Sequence, residues 1–252
     1  MLAKKQFGQN FLQSDSALNK IITAGEITPG ELILEIGPGQ GALTAKLLSA
    51  GAKVIAIEID QDLITILENK FATELANGQL YLINGDVLQT DVMALTKNQP
   101  YKLIANIPYY ITGAILEYFL QKMPQPLMAI LLVQKEVADR IIAKDNKESI
   151  LSLSVKVFGR PHYIATVKAG SFFPKPKIDS AIIKIDHIHK KLNDKQLDDF
   201  FHLIKQAFSS KRKQLKNNLP DLKTKLENCQ INLTSRAEDL TLDQWLKIIT
   251  TY

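Results

Sequence analysis

The segment Leu32-Ile33-Leu34-Glu35-Ile36-Gly37-Pro38-Gly39-Gln40-Gly41 decides the fold. A strand-like apolar run passes directly into three glycines at alternate positions, and Thr44 to Leu48 then takes up helical spacing. Glycines between a strand and a helix allow a tight turn and let a ligand come close to the backbone. Read loosely, Gly37, Gly39 and Ala42 also satisfy the dinucleotide pattern G-x-G-x-x-G/A, so a nicotinamide enzyme stays open at this point.

Outward from this turn, apolar runs of strand length recur at Val54 to Ile59, Leu80 to Ile83, Leu103 to Ala105 and Leu127 to Val133. Between them, Leu63 to Phe71 and Ile111 to Leu120 space their apolar residues by three and four. Alternating β and α with continuously apolar strands predicts an α/β, Rossmann-like fold. Its parallel sheet carries helices on both faces, and its ligand crevice lies at the carboxyl ends of the strands. A helical stretch from about Val137 to Phe158 follows, then two strand-like pieces, Tyr163 to Lys168 and Ser180 to Ile185, placed as an antiparallel edge. His187 to Lys195 reads as a polar linker, after which Leu197 to Phe208 and Leu240 to Ile249 regain helical periodicity. The expected division is an α/β domain over 1–186 and a small all-helical domain over 187–252.

Each further strand end carries polar groups. Glu58 ends the second strand about twenty residues past the glycines, where a carboxylate accepts hydrogen bonds from both ribose hydroxyls of a cofactor. Asn84-Gly85-Asp86-Val87 closes the third strand; its carboxylate suits an adenine amino group and Val87 the side of the ring, although a plain turn accounts for the same residues. The fourth strand delivers Asn106-Ile107-Pro108-Tyr109: a side-chain carbonyl to accept from an amine, a proline to stiffen the turn, and an aromatic face for a base. An Asn-capped strand-to-helix turn explains the tetrapeptide taken alone. Beside the three preceding loops it has no task in hydride transfer and a clear one in methylation of a nucleobase amine.

The chain has 252 residues and is 46% hydrophobic, which supports a sizeable core, and its longest purely apolar stretch, Leu127 to Val133, is too short to cross a bilayer. Lys4 and Lys5 followed by polar Gln6 to Asn10 do not resemble a secretory signal, so a cytoplasmic location without membrane attachment is expected. A single cysteine, Cys229, rules out an internal disulfide; no Cys or carboxylate cluster accompanies His187 and His189, so no metal is expected. The net charge of +5 is unevenly placed, with 12 Lys and Arg against 8 Asp and Glu in residues 187–252. The excess peaks at Lys205, Lys211, Arg212, Lys213, Lys216, Lys223 and Lys225, a pattern that fits either a footprint for a phosphate backbone or a solvated helix face.

In this order, Glu-x-Gly-x-Gly-x-Gly, the acidic strand end, Gly-Asp-Val and Asn-Ile-Pro-Tyr resemble the motifs of S-adenosylmethionine-dependent ribosomal RNA adenine N6,N6-dimethyltransferases. The resemblance spans nearly the whole chain. It takes in Phe7-Gly8-Gln9-Asn10-Phe11-Leu12, Leu132 to Arg140, Phe172-Phe173-Pro174-Lys175-Pro176-Lys177-Ile178-Asp179-Ser180-Ala181, Ala207 to Leu219, and Arg236-Ala237-Glu238-Asp239-Leu240. The last two look like the housekeeping branch acting on small-subunit RNA rather than the resistance branch acting on large-subunit RNA. The resemblance implies a class I methyltransferase domain and a helical domain that engages the small ribosomal subunit. It implies cofactor contacts at Asn10, Leu12, Gly37, Glu58, Asp86 and Asn106, with residues 1–12 as a flap over the cofactor. S-adenosylmethionine would be the methyl donor and S-adenosylhomocysteine the product, with no metal. The substrate would be two adjacent adenosines near the 3′ end of small-subunit (16S) RNA, dimethylated late in subunit assembly by a monomer. Without the resemblance, Phe7 to Leu12 reads as a disordered tail.

Such chemistry needs no strong base. Asn106 Oδ1 and the Ile107 carbonyl accept from the N6 hydrogens and align the lone pair with the sulfonium methyl, while Pro108 holds the turn. Tyr109 stacks on the extruded adenine, Phe172 or Phe173 covers its other face, and Lys211, Arg212, Lys213 and Lys216 meet the RNA backbone. Two positions depart from the family pattern: Tyr110, where many relatives carry Asn, and Lys147 to Ser152, which loosely follows a Tyr-Gly-x-Leu-Ser segment. Rival readings are the large-subunit methyltransferase of the resistance type, a noncatalytic RNA-binding assembly factor, and a nicotinamide oxidoreductase.

Overall fold

A computed structural model describes residues 8–122 and 124–251. Its strands are β1 (Phe11–Leu12), β2 (Leu32–Ile36), β3 (Lys53–Glu58), β4 (Leu80–Asn84), β5 (Lys102–Asn106), β6 (Met128–Gln134), β7 (Arg160–Val167), β8 (Phe172–Phe173) and β9 (Ser180–Asp186). Its helices are α1 (Asp15–Gly25), α2 (Ala42–Ser49), α3 (Gln61–Lys70), α4 (Ala72–Ala76), α5 (Val92–Thr96), α6 (Thr112–Glu117), α7 (Lys135–Ile142), α8 (Ile150–Lys156), α9 (Asp194–Ala207), α10 (Leu215–Asn218), α11 (Lys223–Asn228) and α12 (Leu242–Thr250). Packing divides the chain into two units, Met1–Ala138 with Arg160–Ile188, and Asp139–Gly159 with His189–Tyr252.

The first unit is built on a seven-stranded sheet in the order β4-β3-β2-β5-β6-β9-β7. β2 to β6 pair in parallel, β9 joins β6 antiparallel, and β7 closes the edge antiparallel to β9, as the two late strand-like pieces predict. The central strands are buried along nearly their whole length, which is why their sequences are apolar without alternation. Leu18 and Ile21 of α1 and Leu47 of α2 pack with Ile33, Val54, Ile104 and Leu132 of the sheet in one core cluster. α1 starts where Ser14 Oγ accepts from the Ala17 N–H and ends on a buried lysine: Lys102 Nζ donates to the Gly25 and Glu26 carbonyls at 2.9 and 2.8 Å and pairs with Glu31 at 2.9 Å. Strand order reverses between β2 and β5, so a crevice is expected outside their carboxyl ends.

The second unit is helical. Sequence periodicity predicts one helical stretch from Val137 to Phe158, but α7 stops at Ile142 and α8 starts at Ile150. Between them Ala143 and Asn146 take left-handed backbone angles, and Ser149 caps the new helix by accepting from the Ser152 N–H at 3.1 Å. Sequence reading also places this segment with the α/β domain, whereas it packs with the C-terminal helices. The Phe158 and Phe201 rings stack at 6.4 Å, the His189 N–H donates to the Phe158 carbonyl at 2.8 Å, and the Glu148 N–H donates to the Glu238 carbonyl at 2.8 Å. α9 begins inside the expected linker because Asn193 and Gln196 cap each other's backbone N–H reciprocally.

Candidate active site

A cavity of about 600 Å³ opens in the first unit where β2, β3, β4 and β5 end, a size suited to a small-molecule ligand. Its walls are the glycine turn, Glu58 and Ile59, Gly85 to Leu88, Asn106 to Ile111 and, from the N-terminal side, Gly8 to Gln13. The glycine turn is fixed by backbone bonds to β3 and within itself: the Gly37 N–H donates to the Ile57 carbonyl and the Gly41 N–H to the Pro38 carbonyl, both at 2.9 Å. At Gly41, with φ of +75°, a Cβ would stand 2.5 Å from the Phe71 ring, so only glycine lets α2 begin this close to the end of α3.

Glu58 is buried, and each of its oxygens is held by a backbone donor, Oε2 by the Gly39 N–H at 3.1 Å and Oε1 by the Asp60 N–H at 3.0 Å. Burial pushes its pKa up against the pull of those donors. Each oxygen retains a second lone pair, so the carboxylate can still accept two ribose hydroxyls. Asp60 caps α3 through the Asp62 N–H at 3.1 Å and also accepts from Gln9 Nε2 at 2.8 Å. Behind the turn Glu35 is fully buried and accepts from Thr44 Oγ1 at 2.7 Å; burial raises its pKa to about 8, and the nearby Glu58 adds to the rise. Asp86 caps the turn after β4, accepting from the Leu88 N–H at 2.9 Å and from Gln89 Nε2 at 3.3 Å.

On the opposite wall, Asn106 Nδ2 donates to the Asn10 carbonyl at 3.2 Å, which leaves Oδ1 as the acceptor of that amide. Asn10 Nδ2 donates in turn to the Gly8 carbonyl at 3.0 Å. Ile107 is buried, Pro108 leads into a short 3₁₀ turn, and the half-buried Tyr109 sets its hydroxyl 2.6 Å from Ser180 Oγ. Burial raises the Tyr109 phenol pKa, which keeps it neutral. β1 pairs with β8 in the register Phe11↔Phe173 and Leu12↔Phe172. That pairing separates the two phenylalanines, since Phe172 lies in the core at 4% exposure and Phe173 is 57% exposed. Phe172 therefore has no face to give to a base, in contrast to the sequence expectation that either ring could serve.

Asn10, Leu12, Gly37, Glu58, Asp86, Asn106, Ile107, Pro108 and Tyr109 thus line one cavity, and Phe172 and Phe173 stand outside its lining. Of the expected flap over 1–12, Gly8–Leu12 belong to the described residues; Phe7 and those before it lie outside them. Sequence reasoning missed three participants and gave a fourth, Gln9, only as part of the flap. Ile59, 49% exposed, forms part of the wall beside Glu58; Gln9 reaches Asp60; Lys70 Nζ donates to the Gln40 carbonyl at 2.8 Å; and Ser180 holds Tyr109. An apolar residue directly after an acidic strand end was the available signal for Ile59, whereas nothing local marks Ser180.

In the second unit Lys211, Arg212 and Lys213 are exposed on the loop between α9 and α10, and Lys216 is half-buried. Asn218 Nδ2 closes that loop by donating to the Ala207 and Ser210 carbonyls at 2.7 and 3.1 Å. Among the described residues, no group of three or more His, Cys, Asp or Glu is placed to hold a metal, and no helix is long and apolar enough to cross a membrane.

A sheet of this order, with a glycine turn, two strand-end carboxylates and an amide-bearing fourth loop around one cavity, defines a class I S-adenosylmethionine-dependent methyltransferase. The chain belongs to the ribosomal RNA adenine dimethylase family, whose profile matches residues 1–252. It is 38% identical over 260 residues to the ribosomal RNA small subunit methyltransferase A of Dehalococcoides mccartyi, covering 99% of this chain and 88% of that one. It is 45% identical over 222 residues to the protein of the same name from Mycoplasmopsis pulmonis, covering 87% and 84%. Among solved structures, a dimethyladenosine transferase from Plasmodium falciparum matches with a TM-score of 0.77 at 29% identity over 94% of this chain and 95% of that one. The 23S rRNA methyltransferase ErmE shares the fold, with a TM-score of 0.80 at 23% identity over 95% and 98%.

Proposed function

We propose that this chain methylates N6 of two adjacent adenosines near the 3′ end of small-subunit ribosomal RNA, to the dimethyl state, on small subunits late in their cytoplasmic assembly. The observation that carries the reading is the Asn106 amide in the cavity lining, tied through Nδ2 to the Asn10 carbonyl so that Oδ1 is left as its acceptor, in a cavity whose other wall suits a nucleoside cofactor. S-adenosylmethionine supplies an electrophilic methyl on a sulfonium and leaves as S-adenosylhomocysteine. Glu58 accepts from its ribose, Asp86 from its adenine amine, and Gly37, Asn10 and Leu12 border its methionine end. Asn106 Oδ1 and the Ile107 carbonyl accept from the adenine N6 hydrogens, turning the lone pair toward the methyl. Pro108 stiffens that turn, and Tyr109, anchored by Ser180, stacks on the extruded base. Of the two phenylalanines only Phe173 is exposed and so available to cover the base's other face, each stack contributing roughly 1–3 kcal/mol. The positive charge passes from sulfur to N6 in the transfer and departs with the N6 proton, which leaves afterwards to water, so no metal is needed.

Lys211, Arg212, Lys213 and Lys216 hold the RNA backbone, and replacing the first three flattens the salt dependence of binding. Labelled S-adenosylmethionine incubated with the protein and undermethylated small subunits, naked RNA or large subunits tests the whole reading. Label in dimethyladenosine of small-subunit RNA is expected. Label confined to large-subunit RNA overturns the target, and no label in any substrate overturns the activity.

A further inference from the structure

Tyr110 lines the cavity next to Tyr109, yet the transfer chemistry gives it no task. Its ring is 67% exposed, and one side of it lies against Gly8, where a Cβ would come within 3.3 Å of Tyr110 Cε1. Phe173, also exposed, sits opposite Phe11 in the β1–β8 pairing. Gly8 and Phe11 are three residues apart, a reach of at most about 11 Å of extended chain. A water-exposed aromatic ring therefore flanks each end of this short segment, Tyr110 within the cavity lining and Phe173 outside it.

Two neighbouring tyrosines here are held in different ways. The Tyr109 hydroxyl is fixed on Ser180 and its ring is half-buried, which suits one base in one orientation. Tyr110 is backed by glycine on one side and open to water on the other. When one base is pulled out of a single-stranded stack, its neighbour loses a stacking partner and presents a bare π-face.

We propose that Tyr110 is a specificity-determining residue that stacks on the base next to the extruded adenine. The inference rests on the RNA methyltransferase reading above. It assigns the second of the two adjacent bases a place of its own outside the acceptor pocket. Tyr110 then selects for a flat purine beside the target, and it does so through KM rather than through the transfer step.

Undermethylated small subunits and calorimetry with S-adenosylmethionine test this. Tyr110→Ala is expected to raise KM for subunits about tenfold with kcat and the cofactor Kd unchanged, while Tyr110→Phe and Tyr110→Trp keep wild-type KM. Reconstituted subunits carrying an abasic residue beside the target adenosine are expected to lose the same factor with the wild-type protein and nothing more with Tyr110→Ala. Three results overturn the proposal: an unchanged KM in Tyr110→Ala; additive losses in Tyr110→Ala and the abasic substrate; or an equal change in cofactor Kd, which reduces Tyr110 to a clasp on Gly8. Each of these leaves wild-type methylation intact and so spares the underlying reading. Absence of methylation by the wild-type protein overturns that reading and this one together.

Discussion

The turn after β2 and the turn after β5 leave adjacent strands of one sheet, yet they are held by opposite means. Gly37 to Gly41 is fixed from within and from the next strand, by its own backbone bonds and by Glu58, whose oxygens accept from backbone donors 19 and 2 residues away, Gly39 and Asp60. Asn106 to Tyr110 is fixed from far away: Asn106 by Asn10, 96 residues earlier, and Tyr109 by Ser180, 71 residues later. The first wall is a property of the α/β sheet itself. The second is tied to the N-terminal segment and to the antiparallel edge.

Breaking the second wall at its centre gives the largest expected effect. Asn106→Ala removes the acceptor proposed for the amine, and methyl transfer is expected to fall about 10²- to 10³-fold while subunit affinity stays within a few-fold. Single-turnover labelling beside a binding isotherm checks this. Weakened binding with normal turnover of bound substrate would show that Asn106 positions RNA instead. The matching break in the first wall is Glu58→Gln, which loses the charged acceptor proposed for ribose. Affinity for S-adenosylhomocysteine is expected to drop roughly 10- to 100-fold by calorimetry, with subunit binding unaffected. If the two variants cost the same in the same assay, the two walls do not do separate work.

This contrast also explains what could be read from the chain. The first wall was legible because its parts are local: a glycine turn at one strand end, a carboxylate at the next, each with its own signal. The tetrapeptide at Asn106 was legible as chemistry because its groups are contiguous, but its supports were not, since neither Asn10 nor Ser180 carries a local sign of what it binds. Phe172 and Phe173 were indistinguishable because a two-residue strand has no alternation to tell the inner face from the outer; only its pairing with Phe11 and Leu12 decides. The break between α7 and α8 was hidden for a related reason. It depends on left-handed backbone at Ala143 and Asn146, and alanine gives no warning of it.

A smaller effect is expected at the remote support of the second wall. Ser180→Ala frees the Tyr109 ring, and kcat is expected to fall roughly two- to tenfold. Tyr109→Phe should reproduce the loss, and the double variant should cost no more than either change alone. Additive losses would mean that the hydroxyl pair does not hold the ring.

The smallest effect tests the first wall from behind, at Glu35, and reads stability rather than activity. Burial raises this carboxyl from the ordinary 4.5 to about 8 in the folded chain. Between those values the folded state keeps a proton that the unfolded chain has released. Stability contributed by this group is therefore greatest below about pH 4.5, declines as pH rises toward 8, and stays low above it. Glu35→Gln cannot lose a proton and can still accept from Thr44 Oγ1. Its Tm is expected to match wild type near pH 5 and to exceed it by a few degrees above pH 8, as seen by calorimetry across that range. Parallel Tm curves would mean that Glu35 is already ionised at pH 5, and that the glycine turn rests on a buried charge rather than on a neutral acid.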